Sequence, residues 1–220
     1  MAEATTGMNM EPAIHNATRR IDVISDVICP WCWIGKRQLE RALTMVEAPF
    51  AVHWRPYQLN PDMPVEGVER AAYRAAKFGS EERGRELDAN VANAGRAVGL
   101  EFRHDLMLRT PNTVAAHRLI RWAGERQGDL VEALFRGYFQ EGQDVGDHAT
   151  LAAIAAGVGL DGAAAFLASE EQLAEVLAED ATFRRIGISG VPSFAVDGQV
   201  MFSGAYPAEQ MAQIFERRAA

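Results

Sequence analysis

Cysteine is scarce in this chain: among its 220 residues only Cys29 and Cys32 occur, spaced as a single C-x-x-C. Two cysteines cannot build the disulfide framework that holds a small secreted scaffold together. Nor do they complete a structural zinc site, which takes about four nitrogen or sulfur ligands. The five histidines (His15, His53, His104, His117 and His148) supply no closely spaced pair beside them. Basic charge is also in deficit. Lys and Arg number 22 against 30 Asp and Glu, a formal net charge of -8, which weighs against nucleic acid or an anionic membrane as a partner held mainly by charge. Uninterrupted apolar runs of about 18 residues are missing, so no membrane-spanning helix is expected. The opening segment MAEATTGMNMEPAIHNATRR lacks the basic-then-apolar order of a secretory leader, and a cytoplasmic protein is expected.

What is present is enough apolar sequence for a core: 48% of residues are hydrophobic and 24% charged. The length exceeds the common domain size of roughly 100–150 residues, which points to one large domain or a small one carrying an insertion. Residues 1–19 have no periodicity and read as a flexible arm. From Arg20, the run RIDVIS alternates Ile21, Val23 and Ser25 with Asp22 and Ile24, a strand. Pro30 follows Cys29 where a helix tolerates it, in the first turn. Leu39, Ala42, Leu43 and Val46 then repeat with helical period. Val52, Trp54 and Leu59 suggest a second strand that Pro56 confines to an edge, a bulge or its end.

Residues 61–183 read as helical almost throughout, with no convincing strand. Within them Ser169-Glu170-Glu171-Gln172 has the spacing of a capping box ahead of Leu173. Asn112 is positioned to cap a helix starting near Thr113, and Gly187 to stop the last one. Asp197-Gly198 sits between two β-rich runs, the signature of a type I′ hairpin. A final amphipathic helix carries Met211, Ile214 and Phe215 on one face. The order is β-α-β, a helical block, then β-β-α. It divides the chain into an α/β part, residues 20–60 plus 184–220, and a helical insertion, residues 61–183.

Chemistry concentrates at Cys29-Pro30-Trp31-Cys32, between the first strand and the first helix. Free N–H groups and the positive end of the helix dipole favour a thiolate at such a position. Cys29 is then the attacking sulfur. Cys32, three residues on, returns to the same side of the helix and can resolve a mixed disulfide. No His or Lys stands between them to assist. A second signal is Gly190-Val191-Pro192-Ser193, just before the hairpin.

With these segments in view, the chain resembles the DsbA family of thiol–disulfide oxidoreductases, and within it the FrnE-like branch, through SDVICPWCWIGKRQLE, WRPYQLNP, NTVAAHRL, ALFRGYFQEGQDV and GISGVPSF. The resemblance implies a thioredoxin-like fold, α/β, interrupted by a large all-helical insertion. It implies that Pro192 is a cis-proline facing Cys29 and Cys32, and that Val191 offers its backbone to substrate as a strand edge does. It also implies action on protein or small-molecule disulfides without metal or organic cofactor, glutathione being a candidate exchange partner. The helical block leaves room for a homodimer.

Other residues invite blander readings. Trp31 suits an apolar rim that receives substrate, whereas Trp33 suits packing beneath the helix. His53 and Arg55 share one face of a strand and read as ordinary polar surface. Asn112, His117 and Arg118 read as a helix cap with a partly buried histidine. Leu134, Phe135, Tyr138 and Phe139 read as core. Two further functions compete: a glutathione-dependent isomerase or transferase of the 2-hydroxychromene-2-carboxylate isomerase or kappa-class type, which usually places serine where Cys29 stands, and a polypeptide-binding module with incidental thiols.

Overall fold

The computed structural model describes residues 18–219. Most of the arm expected over residues 1–19 therefore lies outside the described residues, and its last residue is corrected: strand β1 spans Arg19–Ser25. The ladder begins before the apolar run because Arg19 pairs in register with Phe50 and donates its N–H to the Pro49 carbonyl at 3.0 Å. Backbone pairing needs no apolar side chain.

After β1 come α1 (Pro30–Leu43) and β2 (Phe50–Pro56), and near the end of the chain β5 (Ser193–Val196), β6 (Gln199–Ser203) and α9 (Ala208–Ala219). These four strands form one sheet in the order β2-β1-β5-β6, with β1 parallel to β2 and the other pairs antiparallel. Pro56 is the last residue of the edge strand β2, where its missing N–H costs no ladder bond. Successive side chains of β1 point to opposite faces. Ile21 and Val23 enter the large core with Leu39, Phe194 and Phe215, whereas Ile24 joins a smaller cluster with Tyr57, Ile188 and Ala195. Both faces of the central strand are covered, as a parallel-paired strand requires.

Between β2 and β5 run α2 (Arg70–Phe78), α3 (Glu81–Arg96), α4 (Val114–Trp122), a 3-10 turn (Gly124–Arg126), α5 (Gln127–Phe139), α6 (His148–Gly157), α7 (Ala163–Leu167) and α8 (Leu173–Arg185). This stretch is not wholly helical. Val68–Glu69 (β3) and Arg109–Thr110 (β4) pair antiparallel, a ladder too short to leave an alternation in the sequence. The same apolar cluster that covers the sheet continues through Leu119, Leu134 and Phe166. Trp33 ties the two regions together: its ring, 1% exposed, lies 5.4 Å from that of Phe102, 5.8 Å from Phe139 and 6.1 Å from Phe135. No helix among the described residues is long and apolar enough to cross a membrane.

Local signals resolve in instructive ways. Asp197 and Gly198 both have positive φ, 48° and 79°, as a type I′ turn demands. The Asp197 carboxylate also accepts the Arg20 N–H at 3.0 Å and pairs with Arg19 at 2.7 Å, pinning the hairpin to β1. Asn112 Oδ1 accepts the Val114 N–H at 3.0 Å and so covers a free donor at the start of α4. The capping box does not form. Ser169 Oγ instead donates to the Phe166 carbonyl at 2.7 Å and accepts the Glu171 N–H, and α8 begins only at Leu173, after Gln172 in the left-handed region at φ 60°. Ser169 is spent on closing α7, three residues too early to cap α8.

Candidate active site

Cys29 is the residue from which α1 starts. Its backbone is extended (φ -91°, ψ 111°), Pro30 occupies the first helical position, and its N–H donates to the Asp26 carbonyl at 3.0 Å. The Cys32 N–H donates to the Cys29 carbonyl, also at 3.0 Å, so both sulfurs are carried on one tight turn. Each is a free thiol. Their surroundings differ. Cys29 is 3% exposed and borders a cavity, with Sγ 3.5 Å from the Val191 carbonyl oxygen. Cys32 is fully enclosed. Burial pushes the Cys32 thiol well above its ordinary value, and the adjacent Cys29 sulfur pushes it further. One thiol thus faces a space that can hold substrate, and the other keeps its proton beneath it.

The loop opposite is held from several sides. The Val191–Pro192 peptide is cis. Ser193 Oγ donates to the Gly190 carbonyl at 2.7 Å, the Pro192 carbonyl accepts the Gly204 N–H at 2.7 Å, and Tyr57 Oη donates to the Ile188 carbonyl at 3.3 Å. The Pro192 ring lies against bare backbone at Gly35 of α1, where a Cβ would stand 2.9 Å from Pro192 Cγ. Gly35 is what lets this loop approach the helix that carries the thiols.

The cavity measures about 420 Å³, within the range of roughly 300–1,000 Å³ typical of small-ligand sites. Cys29, Pro30, Trp31 and Val191 form one side of it, and Leu59, Phe78, Val91, Met107 and Phe139 line apolar walls. Trp31 is 41% exposed, against 1% for Trp33. The structure thus gathers Cys29, Pro30, Trp31 and Val191 around one space, with Cys32 below and Pro192 packed on Gly35.

Other candidates lie elsewhere. Arg55 pairs with Asp22 at 2.6 Å and Glu179 at 3.0 Å, in a chain of charges that includes Arg20 and Arg121. Arg118 donates to the carbonyls of Glu171 (2.9 Å) and Ser169 (2.6 Å), a structural clamp. His117, 3% exposed, faces Asp26: its Nε2 is 3.4 Å from Asp26 Oδ1, and neither atom has a hydrogen-bond partner among the described residues, while Asp26 Oδ2 accepts the Leu59 N–H at 2.7 Å.

Sequence reasoning missed Gly35, Asp26 and the polar wall of the cavity. That wall is Arg70, Tyr73, Arg74 and Lys77, all on α2. Their spacing of i, i+3, i+4 and i+7 marks a single helix face, a signal visible in the sequence but read there only for apolar residues.

Comparison with known proteins matches residues 20–216 to the DSBA-like thioredoxin domain family. Among solved structures, the probable DsbA oxidoreductase SCO1869 from Streptomyces coelicolor superposes with a TM-score of 0.81 at 31% identity, covering 91% of this chain and 89% of that one. The glutathione-bound form of the cytosolic disulfide reductase DsbM from Pseudomonas aeruginosa, at 18% identity, shares the fold with a TM-score of 0.62 over 91% of this chain and 96% of its own. The Bacillus subtilis (strain 168) protein YwbO is 26% identical over 86% of this chain and 91% of its own length.

Proposed function

Because the chain belongs to the DSBA-like thioredoxin domain family, we propose that it is a thiol–disulfide oxidoreductase in which Cys29 attacks the substrate disulfide and Cys32 resolves the mixed disulfide. The observation that carries this reading is the asymmetry of the pair: Cys29 borders the cavity at the start of α1, and Cys32 lies buried behind it with its thiol pushed up. In the reductive direction Cys29 thiolate forms a bond to one substrate sulfur and the other leaves as thiolate. Cys32 then gives up its proton, attacks the Cys29 sulfur and releases the second thiol, leaving a Cys29–Cys32 disulfide. A dithiol reductant restores the pair.

Trp31, Val191 and Pro192 are the residues assigned to hold substrate, with Pro30 setting the turn. Residues 20–60 and 184–220 carry the chemistry, and residues 61–183 shape the cavity. The setting named for DsbM, cytosolic, suits a reductase or isomerase role here, and glutathione, bound in that structure, is a candidate exchange partner.

Insulin reduction in dithiothreitol tests the reading. Wild type is expected to accelerate turbidity and Cys29→Ser to abolish the acceleration. Cys32→Ser is expected to accumulate mixed disulfides visible by mass spectrometry. Equal turbidity rates with and without wild-type protein, together with no captured thiol, would refute it.

A further inference from the structure

Three cations of α2, Arg70, Arg74 and Lys77, border the same cavity as Cys29, and the only carboxylate on its wall among the described residues is Asp88. Asp88 is shared by two of them, 3.0 Å from Arg70 and 2.7 Å from Arg74. His104 Nε2 is 3.7 Å from Asp88, and burial holds its imidazole toward the neutral form. Lys77 has no carboxylate within ion-pair distance among the described residues. Its Nζ donates to Asn60 Oδ1 at 3.1 Å and to the Tyr73 hydroxyl at 2.6 Å, both neutral. A chain of formal net charge -8 has thus collected surplus positive charge in a largely apolar recess beside its attacking thiol. Low-dielectric walls strengthen the field of such charges on anything that enters.

We propose that the cavity selects small anionic disulfides, seating the negative group against Lys77 and Arg74 and the sulfur–sulfur bond at Cys29. This deepens, and rests on, the assignment of Cys29 as the attacking thiol. The volume of about 420 Å³ fits a small molecule, and charge complementarity names its sign. In the single-turnover reaction Cys29 thiolate displaces one anionic thiolate from the disulfide, and Cys32 displaces the second from Cys29. The substrate disulfide gains two electrons, and the cysteine pair loses them to become a disulfide.

The test follows the reduced protein by stopped flow against three probes: the anionic 5,5′-dithiobis(2-nitrobenzoate), the neutral 2,2′-dithiodipyridine and the cationic cystamine. Each rate is divided by that of the same probe with free dithiothreitol. Wild type is expected to favour the anionic over the cationic probe by about tenfold or more, and Lys77→Gln to lower that ratio by about threefold, as loss of one charge contact at an exposed position on the cavity wall implies. Arg83→Gln, an exposed α3 residue paired with Glu86 and away from the cavity wall, is expected to leave the ratio unchanged. A wild-type ratio equal to that of the free dithiol, or one indifferent to Lys77→Gln, overturns the proposal. So does reduction of insulin, normalised in the same way, as fast as that of the anionic probe. Failure of all three probes to react, or equal reaction of Cys29→Ser, instead overturns the assignment of Cys29 itself.

Discussion

Replacing Gly35 by alanine adds one methyl group where α1 meets the Pro192 loop. The new Cβ would stand 2.9 Å from Pro192 Cγ and 3.5 Å from Phe194 Cζ. Carbon atoms in contact prefer roughly 3.5–4.0 Å, so a gap of at least about 0.6 Å must open. The obstacle is a proline ring whose carbonyl is already engaged by the Gly204 N–H at 2.7 Å, so the loop or the helix moves rather than a side-chain tip. Overpacking of this kind costs about 1–3 kcal/mol. Better helix propensity offsets about 0.8–1 kcal/mol of it, leaving a net loss of up to about 2 kcal/mol. Gly128→Ala makes the same chemical change on α5 with nothing among the described residues within 4 Å, and stabilisation of up to about 0.8 kcal/mol is expected. Because Val191 O lies only 3.5 Å from Cys29 Sγ, movement of the loop also alters the surroundings of that sulfur. A slowing of about tenfold toward 2,2′-dithiodipyridine is expected, given that displacements near 1 Å can cost up to about 100-fold. Urea midpoints at constant slope and stopped-flow rates measure both effects. If Gly35→Ala were as stable as Gly128→Ala and reacted like wild type, the close approach would carry neither role.

Reduced protein is expected to lose stability as pH rises. The folded Cys32 thiol is raised well above its ordinary value, so the unfolded chain releases that proton first. Its stabilising contribution is therefore complete below the unfolded value of about 8.5 and declines as pH climbs from there toward the folded value. Urea midpoints between about pH 7 and 10 show this, and an identical decline in Cys32→Ala would rule the assignment out. Trp33→Ala removes a ring buried among Phe102, Phe135 and Phe139 and should cost about 3–5 kcal/mol, read from the same urea titration; a loss under about 1 kcal/mol would mean that α1 is anchored elsewhere. Asp26→Ala strands the Leu59 N–H and removes the carboxylate facing His117, and should cost about 1–3 kcal/mol. Combined with His117→Ala, the two losses are expected to fall short of additivity by at least about 0.5 kcal/mol. Simple addition would show that the residues do not interact.

Much of this molecule is decided over a few residues of chain. A β-branched run followed by Cys29-Pro30 is enough to place a thiol at a strand-to-helix junction, because strand alternation and the tolerance of a helix's first turn for proline are local effects. Asp197-Gly198 is enough for the hairpin, because positive φ is a property of those two residues. The antiparallel pairing of β5 with β6 follows from that turn, whereas the antiparallel pairing of β1 with β5 joins segments far apart in the chain. Ser169 has the spacing of a cap, yet its hydroxyl donates to the Phe166 carbonyl three residues back and closes α7. Two further features were decided only when distant segments met. Nothing in the local sequence marks Gly35, and its role exists only once Pro192 is brought against it. The spacing of Arg70, Tyr73, Arg74 and Lys77 puts them on one helix face, and only the fold brings that face to the cavity beside Cys29. Helical period determines which residues share a face. Which way that face turns depends on what the rest of the chain leaves uncovered, and here that was the recess beside Cys29.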